Sequence, residues 1–337
     1  MKQQHKLPGF QQAHFMPASL ADSQASESYE MRSRKGPMRK RSPATKEEPR
    51  PAITKAIVPA AGRGTRLMPA TRSQPKEMLP VGRKPTIQHV VEELAQSGLH
   101  EVLLISGQGK RAIEDHLDRD GGRNEEEHQP WMDLRFFHAR QSLPRGLADA
   151  VAIGEPFAGG QPVVVALGDS ILVSHARKTV LARMMTAHAK HRPAATIAVE
   201  AVPHEAVSRY GIVAPKGPPD SVFPIRGFVE KPSPSKAPSN LAAAGRYILE
   251  PVIFDAIRRT KPGIGGEIWL TDALQLLLRE GHEILCVRLG RGEHRLDIGN
   301  FLSYYQAFIE MSLLDPDHGA ALRTWLRKQL RPKGKAK

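Results

Sequence analysis

The chain has 337 residues, 40% hydrophobic and 25% charged, a composition that suits a soluble globular protein of one or two domains. No apolar run reaches the ~18 residues of a membrane span, and the chain does not open on the apolar core of a signal peptide. The single cysteine, Cys286, excludes an internal disulfide and suits a reducing cytoplasm; on the apolar run EILCVRL it reads as core and not as a nucleophile.

The net charge of +14 sits at the ends: residues 1–50 carry +5 and residues 321–337 carry +7, which leaves +2 for residues 51–320. Basic ends bind polyanions nonspecifically, but solvated disorder is the commoner reading. No nucleic-acid-binding motif accompanies them, so no specific nucleic-acid partner and no membrane partner is expected. Residues 1–50 are polar and aperiodic and read as a disordered basic extension, with Met31 and Met38 as alternative starts. Residues 51–315 read as one catalytic domain, and 316–337 as a basic C-terminal tail.

Order begins at TKAIVPA, a β-branched run ending in glycines, which reads as a strand feeding a turn. A helix follows at about Ile87–Ser97, where Val90, Val91 and Leu94 fall at helical spacing. EVLLISG is a buried strand and RAIEDHL a helix. LRFFHA, GLADAVAIG and PVVVALGDSIL then repeat strand, helix and strand, and a helix over 177–191 precedes TIAVEAV. This alternation implies a mostly parallel sheet with helices on both faces. After about residue 200, YGIV, GFVEKP and AAAGRYIL are short strands joined by Pro- and Gly-rich links. Helices return at Val252–Arg258 and Leu270–Arg279, followed by a strand at Ile284–Leu289 and a helix at Leu302–Met311. This second half reads as a lobe built around the same sheet.

Chemistry concentrates in PAAGRGTRLMPATRSQPKEMLP, residues 59–80. Gly62 and Gly64 directly follow the first strand, where glycine lets main-chain N–H groups approach an oxyanion closely. Arg66 adds a delocalised charge able to bind two phosphate oxygens. The loop lacks a P-loop lysine, and a glycine turn after a strand is equally a plain structural device. Lys76, held between Pro75 and Pro80, supplies a second cation on a stiff segment. Further along, Asp169 follows the apolar run VVVALG, where a carboxylate is a metal ligand or a helix cap. Asp297 in LDIGN precedes a glycine turn; Asn300 is the better-placed cap for the helix that follows. No Ser-His-Asp order, zinc spacing or GxSxG motif is present, and His138, His188 and His191 are placed on element surfaces without a role.

These segments resemble the signature of nucleoside-diphosphate-sugar pyrophosphorylases, and within them the bacterial UTP–glucose-1-phosphate uridylyltransferases. The likeness runs in order through RQSLPRGLADAV, PVVVALGDSIL, YGIV, GFVEKP, APSNLAAAGRYIL, GEIWLTDAL and LDIGN, over about residues 54–310. It implies a Rossmann-like three-layer α/β/α sandwich with a mixed, mostly parallel central sheet. It also implies transfer of a uridylyl group from UTP to glucose 1-phosphate with Mg²⁺, in a cytoplasmic homo-oligomer. By the same resemblance, Arg66, Lys76, Asp169 and Lys231 are catalytic, and Asp169 and Asp297 hold the metal. Ala61, Gly62, Gly64, Glu77, Gln141 and Gly146 would bind the nucleotide, Gln141 and Gly146 reading the base; Gly211, Glu230 and Lys231 would bind the sugar phosphate. Glu230 and Lys231 are expected on opposite sides of a strand end, which disfavours a salt bridge between them.

The likeness has departures. Gly168-Asp169 replaces the Pro-Asp of close relatives, QSL replaces QGL, and Ala148-Asp149 replaces a Gly-His pair. Phe301 stands where a lysine is common, and Trp269 where a glutamine is. The changes near the base pocket leave dTTP or CTP as alternative nucleotides. A catalytically silent paralogue that regulates an active partner is the alternative from another class, disfavoured by the intact GTR, PKEMLP and VEKP segments.

Overall fold

The computed structural model describes residues 52–118 and 129–330. The readings placed on residues 1–50 and 331–337 lie outside the described residues.

The elements begin with strand β1 (Lys55–Pro59), the two-residue strands β2 (Pro80–Val81) and β3 (Lys84–Pro85), and helix α1 (Thr86–Gln96). Next come β4 (Glu101–Ser106), α2 (Arg111–Leu117), β5 (Arg135–Arg140), α3 (Leu147–Ile153) and α4 (Glu155–Ala158). They continue with β6 (Val163–Ala166), β7 (Ser170–Val173), α5 (Val180–His191) and β8 (Ala195–Ala201). The second half holds β9 (Gly211–Pro215), β10 (Val222–Glu230), β11 (Leu241–Leu249), α6 (Val252–Arg259) and α7 (Leu270–Arg279). It closes with β12 (Ile284–Arg288), β13 (His294–Asp297), α8 (Phe301–Leu313) and α9 (Gly319–Gln329). The last helix runs through residues whose sequence reads as tail.

Nine strands form one sheet in the order β5-β4-β1-β6-β11-β8-β12-β10-β9. The sheet is mixed, with parallel pairing in β5-β4-β1-β6 and β8-β12 and antiparallel pairing elsewhere. Parallel pairing is therefore less dominant than the early βα alternation suggests. The reason is β11, a strand of the second half that enters antiparallel between β6 and β8. Strands of both halves thus share one sheet.

Side-chain alternation divides the core. Ile57, Leu103, Ile105, Val163, Val165 and Ile197 face helices α3, α6 and α7. Ala56, Val58, Val102, Leu104, Val164 and Ala166 face α1, α2 and α5. Period-two alternation within each strand makes both faces apolar, so helices must cover both. His188, expected on a helix surface, is buried at 3% exposure; its ring contacts the Thr196 hydroxyl at 2.9 Å and the Glu250 carboxylate at 3.1 Å.

A smaller apolar cluster sets up the chemistry. Leu67 and Leu79, from the segments that carry Arg66 and Lys76, pack with Val81, with Ile171 and Val173 of β7, with Leu296 and Ile298, and with Ala307 of α8. Burying each such side chain contributes about 1.5–3 kcal/mol. The cluster clamps the loop carrying Arg66 and Lys76 onto the antiparallel β7–β13 ribbon, in which Asp297 stands opposite Ser170. Among the described residues no helix is long and apolar enough to cross a membrane.

Candidate active site

The glycine loop leaves β1 and turns tightly at Gly64, whose φ of 66° is the left-handed region open to glycine. Its carbonyl accepts from the Thr71 hydroxyl at 2.8 Å and from the Leu67 N–H at 3.0 Å, which closes the turn. A side chain at Gly62 would meet the Lys76 ammonium at 3.6 Å, so the loop wraps this lysine. Gly62, Gly64, Arg66 and Lys76 line a cleft of about 680 Å³ with Arg63, Arg145 and Gly299. Backbone N–H groups and several cations on one concave wall suit a polyphosphate.

The apolar strand that leads to Asp169 stops at Ala166, earlier than its run of hydrophobic residues suggests. The chain then turns at Leu167–Asp169 and departs as β7 to pair with β13 instead of the main sheet. The Gly168 N–H donates to the Pro59 carbonyl at 3.3 Å, which ties this turn to the start of the glycine loop. The Asp169 carboxylate pairs directly with the Lys76 ammonium. Burial opposes the charge on both, but their mutual attraction outweighs it: the Asp169 carboxyl is held below its usual range and Lys76 above its own. The Asp169 carbonyl accepts from the Ile298 N–H at 3.0 Å, one residue beyond Asp297. Burial, and then the neighbouring Asp169, push the Asp297 carboxyl up. Asn300 caps α8 by accepting from the Ser303 N–H at 3.1 Å, which leaves Asp297 free of a capping role.

Asp169 and Asp297 share a second pocket of about 190 Å³ with Arg66, Arg209, Gly211, Glu230, Trp269, Thr271 and Arg295. Glu230 accepts from the Thr271 hydroxyl at 2.6 Å. Gly211 is required by close packing, since a Cβ there would lie 2.9 Å from the Phe228 ring. Contrary to the expectation from strand alternation, Lys231 and Glu230 do pair, at 3.4 Å. The strand ends at Glu230, and Lys231 adopts a φ of 44°, which swings its side chain back toward its neighbour. The lysine also lies 5.7 Å from the Trp269 ring centre and stays half exposed; it is not itself among the residues lining the pocket.

Gln141 and Ala61 line a third cavity of about 270 Å³ with Gln108, Gly109, Lys110 and Ser142. Gln141 is 6% exposed, more enclosed than a loop glutamine by default. Gly146 has a φ of 103°, and a Cβ there would fall 2.5 Å from the Ile268 carbonyl oxygen. Glu77 lines none of these three cavities, although its partner Lys110 lines the third. It is 1% exposed, and its carboxylate accepts from the Lys110 ammonium at 2.6 Å. Burial pushes its carboxyl up against the pull of Lys110 and Lys76. Its evident work is to brace the segment that presents Lys76.

Two site residues escaped the sequence reading. Arg295 lies over the Tyr210 ring at 4.2 Å, donates to Glu200 at 2.7 Å, and helps hold Asp169 ionised. The signal was present: positions 295 and 297 alternate onto the same side of one strand. Arg209 approaches Asp297 at 3.8 Å from a short turn with no periodicity to reveal it. Among the described residues no cluster of three or more His, Cys, Asp or Glu could hold a metal. Two adjacent carboxylates nevertheless fit Mg²⁺, which takes one or two carboxylates and completes its shell with water and substrate phosphates.

The chain is similar to known proteins over most of its length. It is 40% identical over 291 residues to a UTP–glucose-1-phosphate uridylyltransferase of Streptococcus pyogenes, covering 82% of this chain and 94% of that one. It is 41% identical over 289 residues to one of Bacillus subtilis, covering 82% and 95%. Among solved structures, a UDP-glucose pyrophosphorylase complexed with UDP-glucose matches with a TM-score of 0.71 at 34% identity, over 82% of this chain and 99% of that one. A UTP-bound enzyme from Acinetobacter baumannii matches at 0.73 and 30%, with the same coverage. The nucleotidyl transferase family profile matches residues 55–312, and the chain belongs to that family.

Proposed function

We propose that the chain transfers the uridylyl group of UTP to glucose 1-phosphate, giving UDP-glucose and pyrophosphate. The observation that carries this reading is Arg66, which lines both the phosphate cleft and the pocket of Asp169, Glu230 and Asp297. A triphosphate in the first and a sugar phosphate in the second would meet at one guanidinium. The names of the relatives agree: uridylyltransferases acting with UTP and glucose 1-phosphate, and structures holding UTP or UDP-glucose.

An oxygen of the sugar phosphate attacks the α-phosphorus in line, its new bond replacing the one to pyrophosphate, which leaves. Both reactants are anions, so alignment and charge neutralisation can supply most of the rate. The loop at Gly62 and Gly64 receives the phosphates, and Arg66 and Lys76 place positive charge along them. Ala61, Gln141 and Gly146 take the base, Glu77 supports from below, Glu230 and Gly211 seat the sugar, and Lys231 reaches its phosphate. Asp169 and Asp297 would hold Mg²⁺, which when bound neutralises phosphate charge. We assign catalysis to residues 51–315, in a cytoplasmic homo-oligomer without a specific nucleic-acid partner; light scattering reads the assembly state.

The test is pyrophosphate release from UTP and glucose 1-phosphate with Mg²⁺, compared with dTTP and CTP and with EDTA. Release with UTP and its loss in EDTA are expected. No release with any nucleotide at high protein concentration refutes the proposal.

A further inference from the structure

We propose that Asp149 is a positioning residue that fixes the Gln141 amide so that it offers the base an acceptor only, selecting the imide N3–H of uracil over the N3 lone pair of cytosine. This rests on the nucleotidyl-transfer reading above.

Asp149 stands in the first turn of α3 and is 9% exposed. One of its oxygens, Oδ1, accepts from the Arg145 guanidinium at 2.7 Å, and the other, Oδ2, accepts from Gln141 Nε2 at 2.7 Å. A carboxylate paired with arginine has no proton to give, so the group facing it must be the amide nitrogen. Turning the amide over would set oxygen against oxygen at that distance in a buried site, where an unpaired polar contact is costly. The second amide hydrogen is also taken, donated to the Gly146 carbonyl at 3.2 Å. Both donors of Gln141 are therefore spent inside the protein. Its carbonyl oxygen remains for the cavity that Gln141 lines with Ala61, Gln108 and Ser142.

A free glutamine amide adapts to either pyrimidine by turning over, since it offers a donor or an acceptor at will. The locked one does not. Uracil and thymine bring an N–H at N3 and satisfy the acceptor; cytosine brings a lone pair to the same place. Arg145 also lines the phosphate cleft, so the clamp joins the base cavity to the polyphosphate wall.

The experiment measures kcat/KM for UTP, CTP and dTTP in the unmodified chain and in Asp149→Asn and Asp149→Ser. The asparagine at 149 has one oxygen to serve both Arg145 and Gln141, which frees the amide to turn. The UTP:CTP ratio should fall about 10-fold or more, tenfold being ~1.4 kcal/mol. The UTP:dTTP ratio should hold within about twofold, because both bases carry the same imide edge; a general loosening of the loop would move both ratios. In a Gln141→Ala background, Asp149→Asn should change nothing further.

A UTP:CTP ratio unaltered in the variants, or a parallel shift in UTP:dTTP, overturns the proposal. So does loss of fold in both variants, read by circular dichroism, which would make Asp149 a folding residue. Absence of UTP turnover in the unmodified chain would instead remove the nucleotidyl-transfer reading itself.

Discussion

Arg246 is fully buried, and its replacement by methionine tests how the fold holds the turn that carries Asp169. The guanidinium donates to Glu93 Oε2 from Nε at 3.0 Å and from Nη2 at 2.7 Å, to the Ser170 carbonyl at 2.9 Å, and to its neighbour Gly245 at 3.0 Å. Ser170 follows Asp169 directly, so this arginine in β11 fixes the turn from behind while Lys76 meets it from the front. Arg246→Met leaves a buried carboxylate whose other oxygen, Oε1, already has no partner, together with an orphaned carbonyl. Removing one member of a buried pair costs about 3–5 kcal/mol. Set against a typical total stability of ~5–15 kcal/mol, that is about a fifth of the whole or more. In a domain of this size it corresponds to a fall of about 5–9 °C in melting temperature. Urea unfolding followed by circular dichroism reads it as a lower midpoint at constant slope. The double variant Arg246→Met with Glu93→Leu removes both charges and should recover most of the loss, since an apolar pair of similar volume replaces a buried ion pair at little cost. A single-variant cost below about 1 kcal/mol, or a double variant as unstable as the single, would show that the charge burial described here is not what holds the turn.

Other outcomes follow from the same geometry. Asp169→Asn removes the charge of the proposed metal ligand and should lower pyrophosphate release by about 100-fold; near-normal turnover would take Asp169 out of the proposed site. Gly146→Ala places a Cβ 2.5 Å from the Ile268 carbonyl oxygen at a φ unsuited to alanine, and should cost about 1–3 kcal/mol by urea unfolding; an unchanged midpoint would mean the two loops separate freely. Burial opposes the charge on Glu293, but the Gly290 N–H, the Ser174 hydroxyl and Arg183 outweigh it and hold its carboxyl below the usual glutamate value. A depressed folded value means its stabilisation is complete above the unfolded glutamate range and is lost as pH falls through the folded value. Glu293→Gln should therefore lower stability at pH 7 and flatten the acid limb of the stability curve; parallel curves for variant and parent would contradict this.

Most of the longer elements were readable from pattern alone, though α9 read as tail and β13 was not anticipated. Val90, Val91 and Leu94 announce α1, and β-branched runs announce β1, β4, β6 and β8, because burial imposes local periods of 3.6 and 2 on a sequence. Family likeness named the loop residues of the site, and Arg66, Asp169, Glu230 and Asp297 do line one pocket. The reading failed where long-range packing overrides local pattern. Glu77 sits in a loop signature yet turns inward to Lys110, 33 residues away, because a buried ammonium needs a partner. Lys231 escapes strand alternation because the strand ends beneath it. Arg209 acquires its partner Asp297 only when separate segments converge. Apolar periodicity, turn glycines and charge placement lie in the chain itself, since each is a property of neighbours along it. Pairing of buried charges, the antiparallel entry of β11 and the facing of Lys76 to Asp169 across 93 positions belong to the folded state, since no local term records which distant groups will share a dry interior.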